Sequence, residues 1–125
     1  MAEIALRWKK EKNRGLVAVV DDRDLPLVAG RKWYAHRVKG SLTVYAKTGT
    51  AKGHVFMHHL IVGRRRGLEV DHRDGNGLNN RRSNLRHVTH AVNIQAWVEK
   101  RRERQFDAWF EEQSRLLSVS EAAKK

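Results

Sequence analysis

Residues 69–95 read EVDHRDGNGLNNRRSNLRHVTHAVNIQ, and this stretch decides the fold. Leu68–His72 is predicted as a short strand. Arg73–Gly77 carries Asp-Gly-Asn-Gly, residues that tolerate the positive φ angles of a tight turn. Leu78–Ser83 has room for one helical turn, and Asn84–Val88 reads as a second strand. Thr89 suits the N-cap of a helix starting at His90, because its hydroxyl can accept one of the N–H groups that a first turn leaves unpaired. If the two strands pair and the helix packs across them, the end of the first strand faces the helix start. Asp71 and Asn93, far apart in sequence, then become neighbours.

That placement has chemical content. A hard divalent cation prefers oxygen ligands and keeps several waters. One carboxylate from Asp71 and one amide oxygen from Asn93 make a minimal site, with phosphate oxygens and water as the remaining ligands. His72 leaves an extended backbone on the opposite side from Asp71. An imidazole there can take a proton from water near neutral pH without binding the metal itself. The helix N-terminus near His90 adds partial positive charge beside an anionic phosphate.

Upstream, residues 1–14 form a basic arm with Ile4, Leu6 and Trp8 on alternate positions, compatible with a strand or a loosely docked segment. Gly15–Val20 (GLVAVV) reads as a buried strand. Asp21, Asp22 and Asp24 lead into a capped helical turn at Leu25–Val28. Trp33–Val38 and Leu42–Lys47 are strand candidates joined by a turn at Lys39-Gly40-Ser41, with Trp33 and Tyr34 in the core. Thr48–Gly53 reads as a small-residue loop. His54–Val62 (HVFMHHLIV) reads as a strand running into a helical turn. As strand neighbours His58 and His59 would point to opposite faces, so one of them at most is an auxiliary contact at the site. Gly63-Arg64-Arg65-Arg66-Gly67 is a basic loop. Downstream of His90 the apolar residues Ile94, Trp97, Val98, Phe106, Trp109, Phe110, Leu116 and Leu117 fall mostly at helical spacing, interrupted by Arg101, Arg102 and Gln105. The tail is one long helix or two shorter ones. Its aromatic stripe docks on the domain or pairs two copies, and the chain is a monomer or a homodimer through this helix.

With 125 residues the chain has the size of one ordinary domain with an extension. Divided by these signals, it reads as a basic arm (1–14), a central domain (15–96) and a helical extension (97–125). The absence of cysteine rules out disulfide scaffolds and Cys-based zinc sites. No apolar run approaches the ~20 residues of a spanning helix, and no signal-like segment opens the sequence. Lys and Arg total 26 against 14 Asp and Glu, a formal charge of +12 that favours phosphate-rich partners. The basic residues cluster at Lys9, Lys10 and Lys12, at Arg64–Arg66, at Arg81 and Arg82, and at Lys100–Arg104. Charge alone fits an enzyme acting on nucleic acid, a binding module of the same fold, or a structural nucleoprotein.

The segment VDHRDGNGLNNRRSNLRHVTHAVN resembles the signature of the HNH endonucleases, the ββα-metal nucleases, in their phage and mobile-element branch, which includes homing endonucleases. The upstream stretches LVAVVDDRDLPLVAGRKWYA and VFMHHLIVG are similar to segments of the same group, so the resemblance runs over roughly Gly15–Gln95. It implies an α+β fold: N-terminal strands, a ββα-metal motif and a C-terminal helical extension. It implies a divalent-metal-dependent DNA endonuclease that hydrolyses phosphodiester bonds, nicking or cutting both strands, and leaves 5′-phosphate and 3′-hydroxyl ends. His72 matches the general base, Asp71 and Asn93 the metal ligands, and Asn84 the middle residue that bonds across the loop and holds the base in place. Many members have His where this chain has Asn93. An amide oxygen is the harder ligand and favours Mg²⁺ or Mn²⁺, other divalent ions being possible. No organic cofactor is implied. Arg64, Arg65, Arg66, Arg81, Arg82, Arg86, His87 and His90 are expected to contact double-stranded DNA. His58, His59 and Asp74 are auxiliary candidates. The implied setting is the cytoplasm of a bacterium or phage-infected cell, with no membrane partner.

Overall fold

A computed structural model describes residues 1–39 and 43–123, so Gly40 and Ser41 of the expected turn, and Leu42, lie outside the described residues. The chain forms two compact units, Met1–Asn93 and Ile94–Lys125. The first is mixed α+β and built from three small antiparallel sheets.

Strand β1 (Ala2–Ala5) pairs with β2 (Val17–Val20) in the register Ala2↔Val20 to Ala5↔Val17. The alternation of Ile4 and Leu6 is thus that of a strand edge, and Leu6 is buried. An acidic turn leads into helix α1 (Leu25–Val28), where Pro26 sits in the first turn and no backbone N–H is lost by it. Strands β3 (Tyr34–His36), β4 (Tyr45–Thr50) and β5 (Gly53–Phe56) form the second sheet in that order. Thr48–Gly53, expected as a loop, is instead the end of β4 and a tight hairpin. Thr50 pairs with Gly53, and its hydroxyl donates to the Gly53 carbonyl at 2.7 Å. Cross-strand pairing overrides the weak strand preference of these small residues. Helix α2 (Met57–Val62) follows at once. The third sheet pairs β6 (Glu69–His72) with β7 (Leu85–Val88), and helix α3 (His90–Ala123) begins two residues later. Thr89 accepts from the Val92 N–H, as an N-cap does. The expected helical turn in Leu78–Ser83 is a short 3₁₀ turn at Arg82–Asn84.

Backbone bonds stitch the sheets together. Arg7 donates to Trp33 O and accepts from Ala35 N–H, joining the first strand pair to the second sheet. Val19 donates to Leu78 O at 2.8 Å, and Asn80 donates to Val19 O at 2.7 Å. The segment after the DGNG turn therefore lies along β2 as an extra, parallel rung. The apolar core gathers Val20, Val28, Trp33, Met57, Ile61, Leu78 and Leu85 from all of these elements. Trp33 is fully buried and donates its indole N–H to the Val28 carbonyl. Arg82 grips the buried Asp24 carboxylate through Nε and Nη2 at 2.9–3.1 Å, and its backbone N–H bonds Asp21. That is a charged clamp between the loop and the α1 entry. In the second unit α3 is one continuous helix. Arg101 lies 4.4 Å over the Trp97 ring, and Phe106, Trp109 and Phe110 form an exposed aromatic strip.

Gly77 marks the tightest approach. A Cβ there would lie 2.5 Å from the Val44 carbonyl oxygen and 2.6 Å from the Tyr45 ring, and its N–H donates to the Thr43 hydroxyl. Backbone cannot yield as a flexible side chain can. Gly77→Ala is expected to lower stability by ~1–3 kcal/mol, the usual scale of overpacking; a urea unfolding midpoint equal to wild type would contradict this packing.

Candidate active site

Residues on β6 alternate between two faces. Glu69 and Asp71 take one, and Val70 and His72 take the other. Asn93, in the first turn of α3, donates its Nδ2 to Glu69 Oε2 at 2.6 Å, and His90 Nδ1 lies 2.6 Å from Glu69 Oε1. These bonds hold the Glu69 carboxyl below the usual carboxylate range, Asn93 first and His90 second, against a smaller opposing effect of burial. Asn93 therefore stands on the face that carries Asp71, with Glu69 as its immediate partner. Asp71 is buried and accepts from Arg86 Nε at 2.8 Å, directly across the hairpin. Glu69 and Asp71 thus put two carboxylates on one face of β6, the first bonded to Asn93 and His90 and the second to Arg86. Among the described residues no group of three or more His, Asp or Glu side chains is placed to hold a metal ion. A cation on this face would need water and substrate oxygens to complete its shell.

On the opposite face His72 is 5% exposed, and its Nε2 lies 2.8 Å from Asn80 Oδ1. An amide oxygen only accepts, so Nε2 donates to it. Asn80 is wholly buried and fixed by its backbone bond to β2. Sequence reading missed it, because one Asn in an Asn-Asn pair reads as turn material until burial is known. Asn84 bonds across the loop that follows His72. Its Nδ2 donates to Asp74 Oδ1 and Asn79 O, and its Oδ1 accepts from Asp74 N–H. It braces the turn that follows His72, while Asn80 touches the ring. Asp74 is the hub of that turn, accepting also from Asn76 N–H and Asn79 Nδ2. Burial alone would raise its carboxyl, but the bonds from Asn79, Asn76 and Asn84 outweigh it and the pKa lies low.

His58 and His59 depart from the strand expectation. They sit in the first turn of α2, where neighbours are not opposed, and their rings are 4.4 Å apart. His58 lies 5.0 Å from the His72 ring, stacks on Phe56 at 5.2 Å and meets Tyr45 at 5.7 Å; Tyr45 also lies 5.7 Å from His72. Nδ1 of both His58 and His59 is buried without a hydrogen-bond partner. Burial, then the nearby His72, His59 and Arg64, pushes the His58 pKa down to about 2, so the ring is neutral. Beside it Arg64, Arg65 and Arg66 line an open cavity of about 710 Å³ together with Tyr45, Phe56 and Val70.

The other expected DNA contacts are partly engaged within the fold. Arg81 donates to Asn79, Arg82 to Asp24 and Arg86 to Asp71, while His87 Nε2 lies 2.8 Å from Gly63 O and His90 bonds Glu69. Arg82 in particular holds the loop to α1, which is a fold-holding task.

Comparison with protein families matches residues 54–95, about a third of the chain, to the HNH endonucleases. Over this segment the chain is similar to the HNH endonucleases. Comparison with curated proteins and with solved structures gives no match. The matched HNH segment runs from β5 through the first turn of α3 and contains His58, His72, Asn80, Asn84 and Asn93. An HNH domain points to a nuclease-type function; HNH nucleases act on DNA and generally use divalent metal ions. No helix among the described residues is long and apolar enough to cross a membrane.

The HNH segment's buried neutral histidine has a measurable consequence. His58 stays unprotonated when folded but titrates near 6.5 when unfolded, so the unfolded state binds more protons as pH falls. Its contribution is complete above about pH 7 and declines below 6.5 by about 1.4 kcal/mol per pH unit. Glu69 and Asp74, held low, lose theirs only below the ordinary carboxylate range, near pH 4. Urea unfolding of wild type should therefore weaken between pH 7 and 5.5, and His58→Phe should weaken less. Equal slopes for the two proteins would contradict a neutral buried His58.

Proposed function

We propose that the protein is a divalent-metal-dependent DNA endonuclease that hydrolyses phosphodiester bonds. The observation that carries this reading is the pairing of a buried, tautomer-fixed His72 on one face of β6 with the buried Asp71 carboxylate on the other. In this reading Asp71 and Asn93 hold a Mg²⁺ or Mn²⁺ ion. Bound there, the ion supplies positive charge to the phosphate and to the leaving 3′-oxygen. His72 Nδ1 takes a proton from a water molecule, whose oxygen attacks phosphorus as the bond to the 3′-oxygen breaks. Asn80 accepts from Nε2–H, which orients the ring and stabilises the imidazolium that forms. Asn84 keeps the DGN turn rigid behind it. Arg64–Arg66 and Arg81 bind backbone phosphates. Arg86 exchanges its partner between Asp71 and phosphate, and His87 and His90 lie beside the strand end.

The resemblance of the motif to the phage and mobile-element branch supports a source in such an element and work in the cytoplasm of its host. One site cuts one strand per encounter, so a double-strand break needs two chains or two visits. The exposed Phe106–Trp109–Phe110 strip is the surface through which α3 would pair two copies. A second reading, a DNA-binding module that does not cut, is favoured by one observation: Asp71 is already paired with Arg86 and Asn93 with Glu69.

Supercoiled plasmid with Mg²⁺ or Mn²⁺ separates the readings. Wild type is expected to convert it to nicked or linear forms, and chelator is expected to stop this. His72→Ala should bind DNA normally yet cut at least ~10²-fold more slowly, the scale of a lost general base. Unchanged turnover in that variant would remove His72 from the role, and binding without cutting by wild type in every metal would favour the module.

A further inference from the structure

A second concavity, of about 770 Å³, lies on the outer face of the β3–β4–β5 sheet. It is lined by Lys9, Lys10, Lys12, Arg37, Lys39 and Lys47, and no carboxylate lines it among the described residues. We propose that this groove is a phosphate track that grips the DNA duplex to one side of the cleavage point. The inference rests on the nuclease reading for its partner and extends it to residues outside the matched segment.

Register shows why the groove and the active site share one surface. Tyr34 pairs with Lys47, His36 with Tyr45, Gly49 with His54, and Lys47 with Phe56. Paired residues point to the same side, so these side chains occupy a single face of the sheet. On that face Lys47 and His54 line the groove, and the neighbouring Tyr45 and Phe56 contact His58 and, for Tyr45, His72. Val38 lines both this groove and the cavity of Arg64–Arg66. A strand rises ~3.4 Å per residue, so Tyr45 to Gly49 spans ~13 Å, the rise of about four base pairs. His36 reports the local field: burial first, then the charges of Lys47 and His54, lower its pKa. A cationic furrow of this length without acidic lining complements a polyanionic backbone, whereas an acidic peptide would lack the even spacing and the adjoining hydrolytic site.

The test uses full-length His72→Ala protein, so that DNA stays intact, with and without Lys10→Gln, Lys12→Gln and Arg37→Gln. These three side chains are exposed, and circular dichroism melting checks that the fold is kept. Duplex affinity is measured across a salt series on a long duplex and on one ending within four base pairs of the cleavage point. The triple variant is expected to bind the long duplex at least tenfold more weakly at 0.1 M salt, with the log–log salt slope reduced by about 2–3, near 0.9 per lost phosphate contact. On the short duplex the difference should largely vanish. An unchanged slope, or an equal loss on both duplexes, overturns the track. Cleavage by wild type is scored separately. A protein that cuts but shows no change in slope loses this inference alone. A protein that never cuts but shows the slope change keeps the track and loses the nuclease reading.

Discussion

In an extended strand, consecutive side chains leave on opposite faces, and the whole site turns on that constraint at Asp71 and His72. Because the two are adjacent on β6, the carboxylate and the imidazole leave the strand in opposite directions. Asp71 shares its face with Glu69, which bonds Asn93, and itself bonds Arg86; His72 meets His58, Tyr45 and Asn80. Pairing with β7 fixes the strand, and the N-cap at Thr89 fixes where Asn93 enters. A one-residue slip in the hairpin would exchange the two faces and dismantle both halves at once.

Two supports outside the hairpin keep this geometry. The backbone of Val19 binds Leu78 and Asn80, so β2 sets the position of the amide that touches His72. The Arg82–Asp24 clamp then ties the far side of the same loop to α1. Buried polar groups are tolerable here because most are satisfied; the buried Asn84 bonds the Asp74 carboxylate, the Asp74 N–H and the Asn79 carbonyl. The exceptions are the Nδ1 atoms of His58 and His59 and the Nδ2 of Asn80, all close to the candidate site. Unsatisfied buried polar atoms are costly, and their gathering at one place is what a site built for a polar visitor presents.

The sequence made the hairpin and its helix legible, because DGNG, the flanking apolar residues and the Thr89 cap are local signals. The buried strand at Val17–Val20 and the turn of α1 were legible for the same reason. What escaped depended on tertiary contacts. Thr48–Thr50 has the composition of a loop and becomes strand only through its partners on β5. His58 and His59 were read on a strand and so separated; on a helix they share one corner of the site. Arg82 looked like one more cation in a basic run, and only Asp24, distant in sequence, reveals its task. Asn80 escaped as well: that it reaches the His72 ring is set by the path of the loop, which spacing does not encode.

The proposed division of β6 into a cation face and a base face can be tested without turnover. Isotope-labelled His72→Ala protein bound to a short duplex is titrated with Mn²⁺, and paramagnetic broadening of backbone amide signals is followed. The account expects the signals of Glu69, Asp71 and Asn93 to vanish first, and Asp71→Ala to abolish the selectivity. Broadening centred instead on Asp74 or on the acidic turn at Asp21–Asp24, or spread evenly over the surface, would contradict it.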